Sequence, residues 1–467
     1  MEIEQVPIDV IVPIVADELH SFMEKKLNEV PGEPFKGRPV TISRLPAWFH
    51  QTDKELCEPK MVSFGPFHHR KESLRAMEAH KWSTLRDFLA RNKNVGFEIY
   101  LREMRLLEEQ ARECYNETVN LGSDDFVMML LLDGCFILEL YLKLEAGECS
   151  DAVLFAGWVI YGMSSDFFLL ENQMPFFVIH KLFAIQGRCG KYCKGVCPLL
   201  ELINKMKPPS IVSVFHFKPP QILCSKVHHL LHFFYSGVLP DIQLKREQRD
   251  LVTGKSFLQG LQFFPWSTIF SKLSSPFSQS AKSRADQRNV PCITELHEAG
   301  VKFKRKIKPR DMFDISFQNG IIEMPSLMLD GNSKNLLWNM VAFEQSQPAI
   351  RKKIMSSYLG LMDSLINTEK DVAILVQSGI IENLLENDEQ AANFFNQFGK
   401  IFVLDYNDHY FHGLFKDVKR YSESTWHKYR ARLMHDYFSN PWSSISVVAA
   451  SILLILTFLQ TYYSATK

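Results

Sequence analysis

Four carboxylates stand in strongly apolar surroundings: Asp133, Glu139, Asp166 and Glu171. A carboxylate buried alone is expensive, so each demands a cation or a set of hydrogen-bond donors. The groups on offer are Arg44, Lys81, His68, His69 and the amides of Asn172 and Gln173. Acids and imidazoles brought together can exchange protons in an active site. The same groups, fully satisfied, can instead form a polar network that holds helix register inside a core. The second reading is the expectation, because the companions of catalysis are missing from the sequence. It holds no Gly-x-Ser-x-Gly elbow, no Gly-x-x-x-x-Gly-Lys phosphate loop and no Gly-x-Gly-x-x-Gly fingerprint. Neither His68-His69 nor the His228, His229, His232 cluster has a Glu at the metalloprotease offset. No catalytic or cofactor-binding residue is assigned, and the chain reads as a non-enzyme. The alternative is a membrane-tethered enzyme working through the His68/His69 and Asp133/Glu171 region.

Thiols supply the other candidate chemistry. Cys189, Cys193 and Cys197 recur every four residues after His180. Structural zinc wants four ligands, commonly with tighter Cys-x-x-Cys pairs. Gly187, Gly190 and Gly195 mark the stretch as a loop, so three reduced loop thiols and no bound metal are expected. Nine cysteines, an odd set without paired spacing, fit reduced thiols better than a disulfide scaffold. Cys135, in an apolar run, should be an inert small hydrophobe. Residues 302–310 carry six Lys or Arg in a largely alternating pattern, which suggests an edge strand able to meet lipid headgroups or an acidic partner. Lys plus Arg and Asp plus Glu both number 53, and that balance argues against a general nucleic-acid binder.

The elements that must position these groups are mostly helical. Residues 74–89 and 97–111 place apolar side chains three and four apart with charges between them. Residues 124–144 are more continuously apolar, and Asp133 and Glu139 decide their environment. Each acid would cost roughly 2–3 kcal/mol or more near a bilayer centre, so a buried core helix is expected instead of a span. Pro175 should start or kink a helix within 166–183. Residues 205–220, with two Pro-Pro pairs, suggest a boundary, and the Ser-rich stretch 271–289 an exposed flexible loop. A short helix should run from Cys292 to Gly300, followed by short extended pieces to 328, helices over 334–398, and a charged amphipathic segment at 421–438. The fold class is therefore mainly α, with one small β element near 300–330. A lead-in at 1–40 precedes one large domain at 41–438.

The chain closes on an uncharged stretch, residues 443–463, of about 21 residues. As a helix it reaches roughly 31 Å at ~1.5 Å per residue, close to a hydrocarbon core of ~30 Å. Trp442 precedes it, and Tyr462 and Tyr463 end it, where amphipathic rings favour interfaces. Lys428, Arg430 and Arg432 lie before it and only Lys467 after, so a single-pass C-terminal anchor with a cytosolic body is expected. The N-terminus is acidic and its apolar run is broken by Pro7, Asp9 and Pro13, unlike a secretory signal. The implied partners are the lipid bilayer and another protein, with no nucleic acid and no cofactor.

Nine blocks in order carry a resemblance. They include Ile42-Ser43-Arg44-Leu45-Pro46, Met61-Val62-Ser63-Phe64-Gly65-Pro66-Phe67-His68-His69, Leu132-Asp133-Gly134-Cys135-Phe136-Ile137-Leu138-Glu139 and Leu169-Leu170-Glu171-Asn172-Gln173-Met174-Pro175-Phe176-Phe177. Later come Asn339-x-x-Ala342-Phe343-Glu344-Gln345, Asp363-x-Leu365-Ile366-Asn367-Thr368 and Asn440-Pro441-Trp442. Together they resemble the plant family called domain of unknown function 247, over almost everything from Thr41 onward. The resemblance implies a plant membrane protein with a large helical domain and one C-terminal span, and it brings no catalytic residues. Some grass members look like self-incompatibility determinants, which implies protein recognition. One departure is Phe64-Gly65-Pro66-Phe67, where the family pattern would place Ile and Tyr.

Overall fold

The computed structural model describes residues 18–29, 40–188, 197–207, 211, 215–240, 290–348, 350, 352–402, 404, 409–424 and 441–465. Its α-helices, in chain order, are α1 (Glu18–Glu29), α2 (Ala47–Thr52), α3 (Arg75–Ala90), α4 (Phe97–Glu113), α5 (Ser123–Ala146), α6 (Gly157–Asp166), α7 (Phe176–Ile185), α8 (Pro198–Lys205) and α9 (Leu230–Val238). They continue as α10 (Ile293–Glu298), α11 (Gly331–Ser346), α12 (Ile354–Leu365), α13 (Glu369–Gln377), α14 (Asp388–Ile401), α15 (His412–Glu423) and α16 (Pro441–Ala465). The chain is mainly α, as expected.

Helix α5 is the axis of the first half. Asp124 and Asp125 in its first turn suit the positive end of the helix dipole. Gly147, at φ +70°, ends it in the left-handed conformation. Between them every residue from Met129 to Leu142 is buried, because α3, α4, α7 and α8 pack around it. The apolar run is thus a core helix, and its two acids sit inside protein. Pro175 is the N-cap of α7: it starts the helix and leaves it unkinked.

In the second half α11 packs on α6, α9 and α12, while α14 packs on α12 and α13. Trp338 of α11, fully buried, lies edge-on to Phe49 at 6.1 Å and Phe402 at 5.2 Å, which sews the N-terminal segment to the last core helices. The buried apolar residues form one continuous cluster from Ile42 to Val418. The boundary expected at 205–220 therefore does not divide two cores: Ile211, Phe215 and Phe217 are buried within the shared one. The loop expected at 271–289 lies outside the described residues.

Among the described residues two small sheets replace the single β element expected. In the first, β1 (Lys302–Arg305) pairs in parallel with β3 (Ile321–Met324), which pairs antiparallel with β2 (Ser316–Gln318). The basic strip does begin as an edge strand, with Phe303 buried and Lys302, Lys304 and Arg305 exposed. In the second, β4 (Leu327–Leu329) pairs in parallel with β5 (Ile381–Asn383), inside the stretch read as helical. Gly379, at φ +66°, ends α13 there, and Ile380 accepts a 2.8 Å bond from Leu327 N across the chain. Only that distant partner makes a strand of three residues.

Helix α16 runs for 25 residues. Among the described residues no helix is long and apolar enough to cross a membrane, so α16 gives the expected span no structural support. Tyr462 is exposed. The side chains of Trp442 and Tyr463, and the cations at 428–432, lie outside the described residues.

Candidate functional site

The expected polar network exists as three separate ties and one outlier. The first two hold the extended segment 60–65, whose backbone has no strand partner in the described sheets. Asp166, at the end of α6, accepts the amides of Lys60 (2.9 Å), Met61 (2.7 Å) and Val62 (2.8 Å). Burial nevertheless pushes its carboxyl up to about 6, against those three donors. Asn172 accepts from Phe64 N at 2.8 Å and donates to the carbonyls of Val62 and Asp166, both at 3.0 Å. Asp133 accepts from Gly65 N at 2.8 Å, and Lys81 Nζ spans Asp133 Oδ1 and Ser63 O, both at 2.7 Å. Glu78 joins the ammonium at 2.7 Å. Gly65 is required here. At φ +71° it brings the chain against Gln173, where a Cβ would collide with the Gln173 carbonyl oxygen.

The third tie is the one that opens to solvent. Glu171 Oε1 accepts from Leu45 N at 2.7 Å and lies 2.8 Å from His50 Nε2 on α2. His68 Nε2 stands 3.4 Å from Glu171 Oε2, a close approach without hydrogen-bond alignment. Burial alone would raise the Glu171 carboxyl; His68, the Leu45 amide and His50 together hold it below its ordinary value. Above this pair is a cleft of about 610 Å³, lined by Arg44, His50, Phe67, His68, Lys71 and Glu171 among others. The Arg44 guanidinium lies 5.3 Å from the Phe67 ring centroid and 3.3 Å from Glu117, and Lys71 pairs with Glu58. His69 also lines the cleft, and burial lowers its pKa.

Gln173 works apart from the cleft, donating to Phe167 O and Leu169 O, both at 2.8 Å, and accepting from Leu231 N at 3.1 Å. Glu139 is the outlier: it meets none of the expected partners and takes a two-pronged contact from Arg91 at 2.7 and 2.9 Å. Thus Arg44, His68, His69 and Glu171 share one cleft, Lys81 and Asp133 a sealed pair beside it, and Asp166 with Asn172 a backbone clamp. The alternative catalytic region, His68/His69 with Asp133/Glu171, is split, because Asp133 is sealed with Lys81.

Sequence reasoning missed His50 and Arg91. Arg91 carried a signal, as a cation at the C-terminus of an amphipathic helix that must lie beside α5. His50 carried none, since its partner lies 121 residues away. Four further buried acids, Asp314, Glu344, Asp363 and Asp371, went unassigned, and two of them cap helices. Glu344 accepts from Met355 N (3.0 Å), Ser356 N (2.7 Å) and Tyr235 Oη (2.8 Å), and so caps α12. Asp371 closes a capping box with Thr368 at the start of α13, a Thr-x-x-Asp spacing that was legible. The imidazole cluster is built into the fold: His229 is the N-cap of α9, accepting from His232 N, and its Nε2 lies 3.1 Å from Thr41 O. Of the candidate zinc thiols, Cys189 and Cys193 lie outside the described residues, and Cys197 is the N-cap of α8.

These elements and ties define a mainly helical protein with two small sheets, whose core is one body. The chain belongs to the DUF247 family, plant proteins of unknown function, whose family model matches residues 42–456. It is similar to UPF0481 protein At3g47200 of Arabidopsis thaliana, 28% identical over 90% of this chain and 85% of that one. It is also similar to a second Arabidopsis thaliana UPF0481 protein, At3g02645, 23% identical over 91% of this chain and 90% of that one. No solved structure matches the chain.

Proposed function

We propose that this chain is a membrane-anchored recognition protein whose helical body binds a polar segment of another protein at the Glu171 cleft, without catalysing a reaction. The cleft carries the reading. It is open, about 610 Å³, and offers cations, carboxylates and an aromatic ring within one surface. Two of its three imidazoles, His50 and His68, turn onto Glu171, and Glu171 in turn holds Leu45 N, so these groups brace the cleft wall. Anchoring is supported by the uncharged stretch 443–463 and by the apolar side chains of Ile452, Leu454, Leu456 and Phe458, which α16 leaves exposed. Apolar surface of that kind calls for a cover, and lipid is one that suits an uncharged helix. The cations before the stretch favour a cytosolic body.

Two experiments test the reading. The intact chain should stay with membranes through an alkaline wash until detergent is added, and a chain ending at residue 440 should be released. Release of both removes the anchor from the proposal. In crosslinked membranes, a partner captured by the wild type should be lost from the R44E/K71E variant and kept by K304E on the exposed edge of β1. A partner set that the cleft variant leaves unchanged removes the cleft.

The 2.8 Å His50–Glu171 contact favours a second reading, a membrane-tethered enzyme in which this imidazole–carboxylate pair moves a proton. A bound ligand recovered chemically altered from the wild type but intact from H50Q would select it.

A further inference from the structure

His180, Cys197 and Cys224 come from three separate elements and converge on one point. His180 lies on α7, Cys197 is the N-cap of α8, and Cys224 opens the short 3-10 turn Cys224–Lys226. One ring nitrogen and the two sulfurs all lie within 4.8 Å of one another. Cys197 is buried, while His180 and Cys224 are partly exposed, so an ion has a route in. The sequence could not pair these residues. Cys224 stands 27 positions beyond Cys197 with no motif between them (224 − 197 = 27).

We propose that His180, Cys197 and Cys224 bind a zinc ion that staples α7, the start of α8 and the 224–226 turn to one another. Two thiolates and one imidazole are the donor set that borderline-soft Zn²⁺ selects over Mg²⁺ or Ca²⁺. Zinc bonds of roughly 2.0–2.3 Å place ligand atoms about 3.3–3.8 Å apart, so the three need only a small inward movement. A fourth, tetrahedral position is left to water or a further ligand. Binding releases one proton from each thiol, and the dication offsets the charge of the two thiolates in a half-buried setting. The site is distinct from the Glu171 cleft and requires none of its residues.

The test uses the full chain in detergent, without an affinity tag, dialysed free of metal and then titrated with Zn²⁺ or Co²⁺ alone. The wild type should bind one zinc per chain, raise its melting temperature with Zn²⁺, and give a thiolate-to-cobalt charge-transfer band with Co²⁺. Because Cys224 sits on a partly exposed turn, C224S should fold, as its circular dichroism can verify. It should lose the cobalt band and bind zinc more weakly by more than the roughly 10–100-fold that loss of a second-shell partner costs. H180A should keep the charge-transfer band at lowered affinity, and H228Q should bind Zn²⁺ and Co²⁺ as the wild type does. A wild type without the cobalt band, or a C224S chain that keeps both band and affinity, overturns the proposal. Protection of two thiols that appears only after oxidation, and reverses with a reductant instead of a chelator, also overturns it.

Discussion

Lys81 Nζ lies 2.7 Å from Asp133 Oδ1, and both side chains are sealed from water. The pair fastens α3 to α5 and, through Ser63 O and Gly65 N, clamps the segment between them. A buried ion pair need not be net stabilising, but removing one member strands the other's charge. K81M should therefore destabilise the chain by about 3–5 kcal/mol in urea denaturation, and K81M/D133L should recover more than half of that. A K81M chain within ~1 kcal/mol of the wild type would show that water reaches the site.

Gly65 makes a second prediction. Its φ of +71° is strained for any L side chain, and a Cβ would collide with Gln173 O and stand 2.9 Å from the Tyr115 hydroxyl. G65A should cost more than the roughly 1–3 kcal/mol of backbone strain alone. G147A, at a similar φ but with open space around it, should cost only that strain. Equal losses at the two positions would contradict the crowding.

The His228–His232 cluster sets a pH dependence. Burial lowers His228 to about 4 and, with the His228 charge, lowers His229 to about 3; His232 is held well below its ordinary value. A base with a depressed folded value contributes stability that is present above the unfolded pKa of ~6.5 and lost as pH falls toward the folded one. For His228 the loss between pH 7 and pH 5 is about 2 kcal/mol. Melting temperature should fall over that interval, and H228Q should flatten the fall. An H228Q chain with the wild-type slope would place the cluster in contact with water.

Thiol reactivity is the fourth. Burial raises Cys57 to about 12, aided by the nearby Glu171 and Asp53 charges, and raises Cys114 to about 11. Cys149 is exposed. Alkylation of the native chain at pH 8, read by mass spectrometry, should label Cys149 well ahead of Cys57 and Cys114, which should stay unmodified until denaturant is added. Early labelling of Cys57 would mean that its segment opens readily.

Much of the local architecture was legible because it depends on neighbours in sequence. The spacing in 74–89 and 97–111 sets α3 and α4, the two acids in 124–144 mark α5 as a core helix, and Pro175 starts α7. That Asp133 needed a partner was readable, and Lys81 stood among the candidates, but nothing in the pattern paired the two. The need of Glu139 for Arg91 was half readable: a cation was required, but which one depended on how α3 lies along α5.

What the chain alone determined, then, is its mainly helical class, its uncharged C-terminal stretch and the requirement that each buried acid find donors, because periodicity, charge and desolvation act through composition and short spacing. Tertiary structure decided which donors those would be. Glu171 meets His50 across 121 residues, β5 exists only because β4 lies beside it, and Cys224 reaches Cys197 and His180 only once α7 and α8 have packed. Such meetings depend on how helices cross, and no local pattern encodes a crossing.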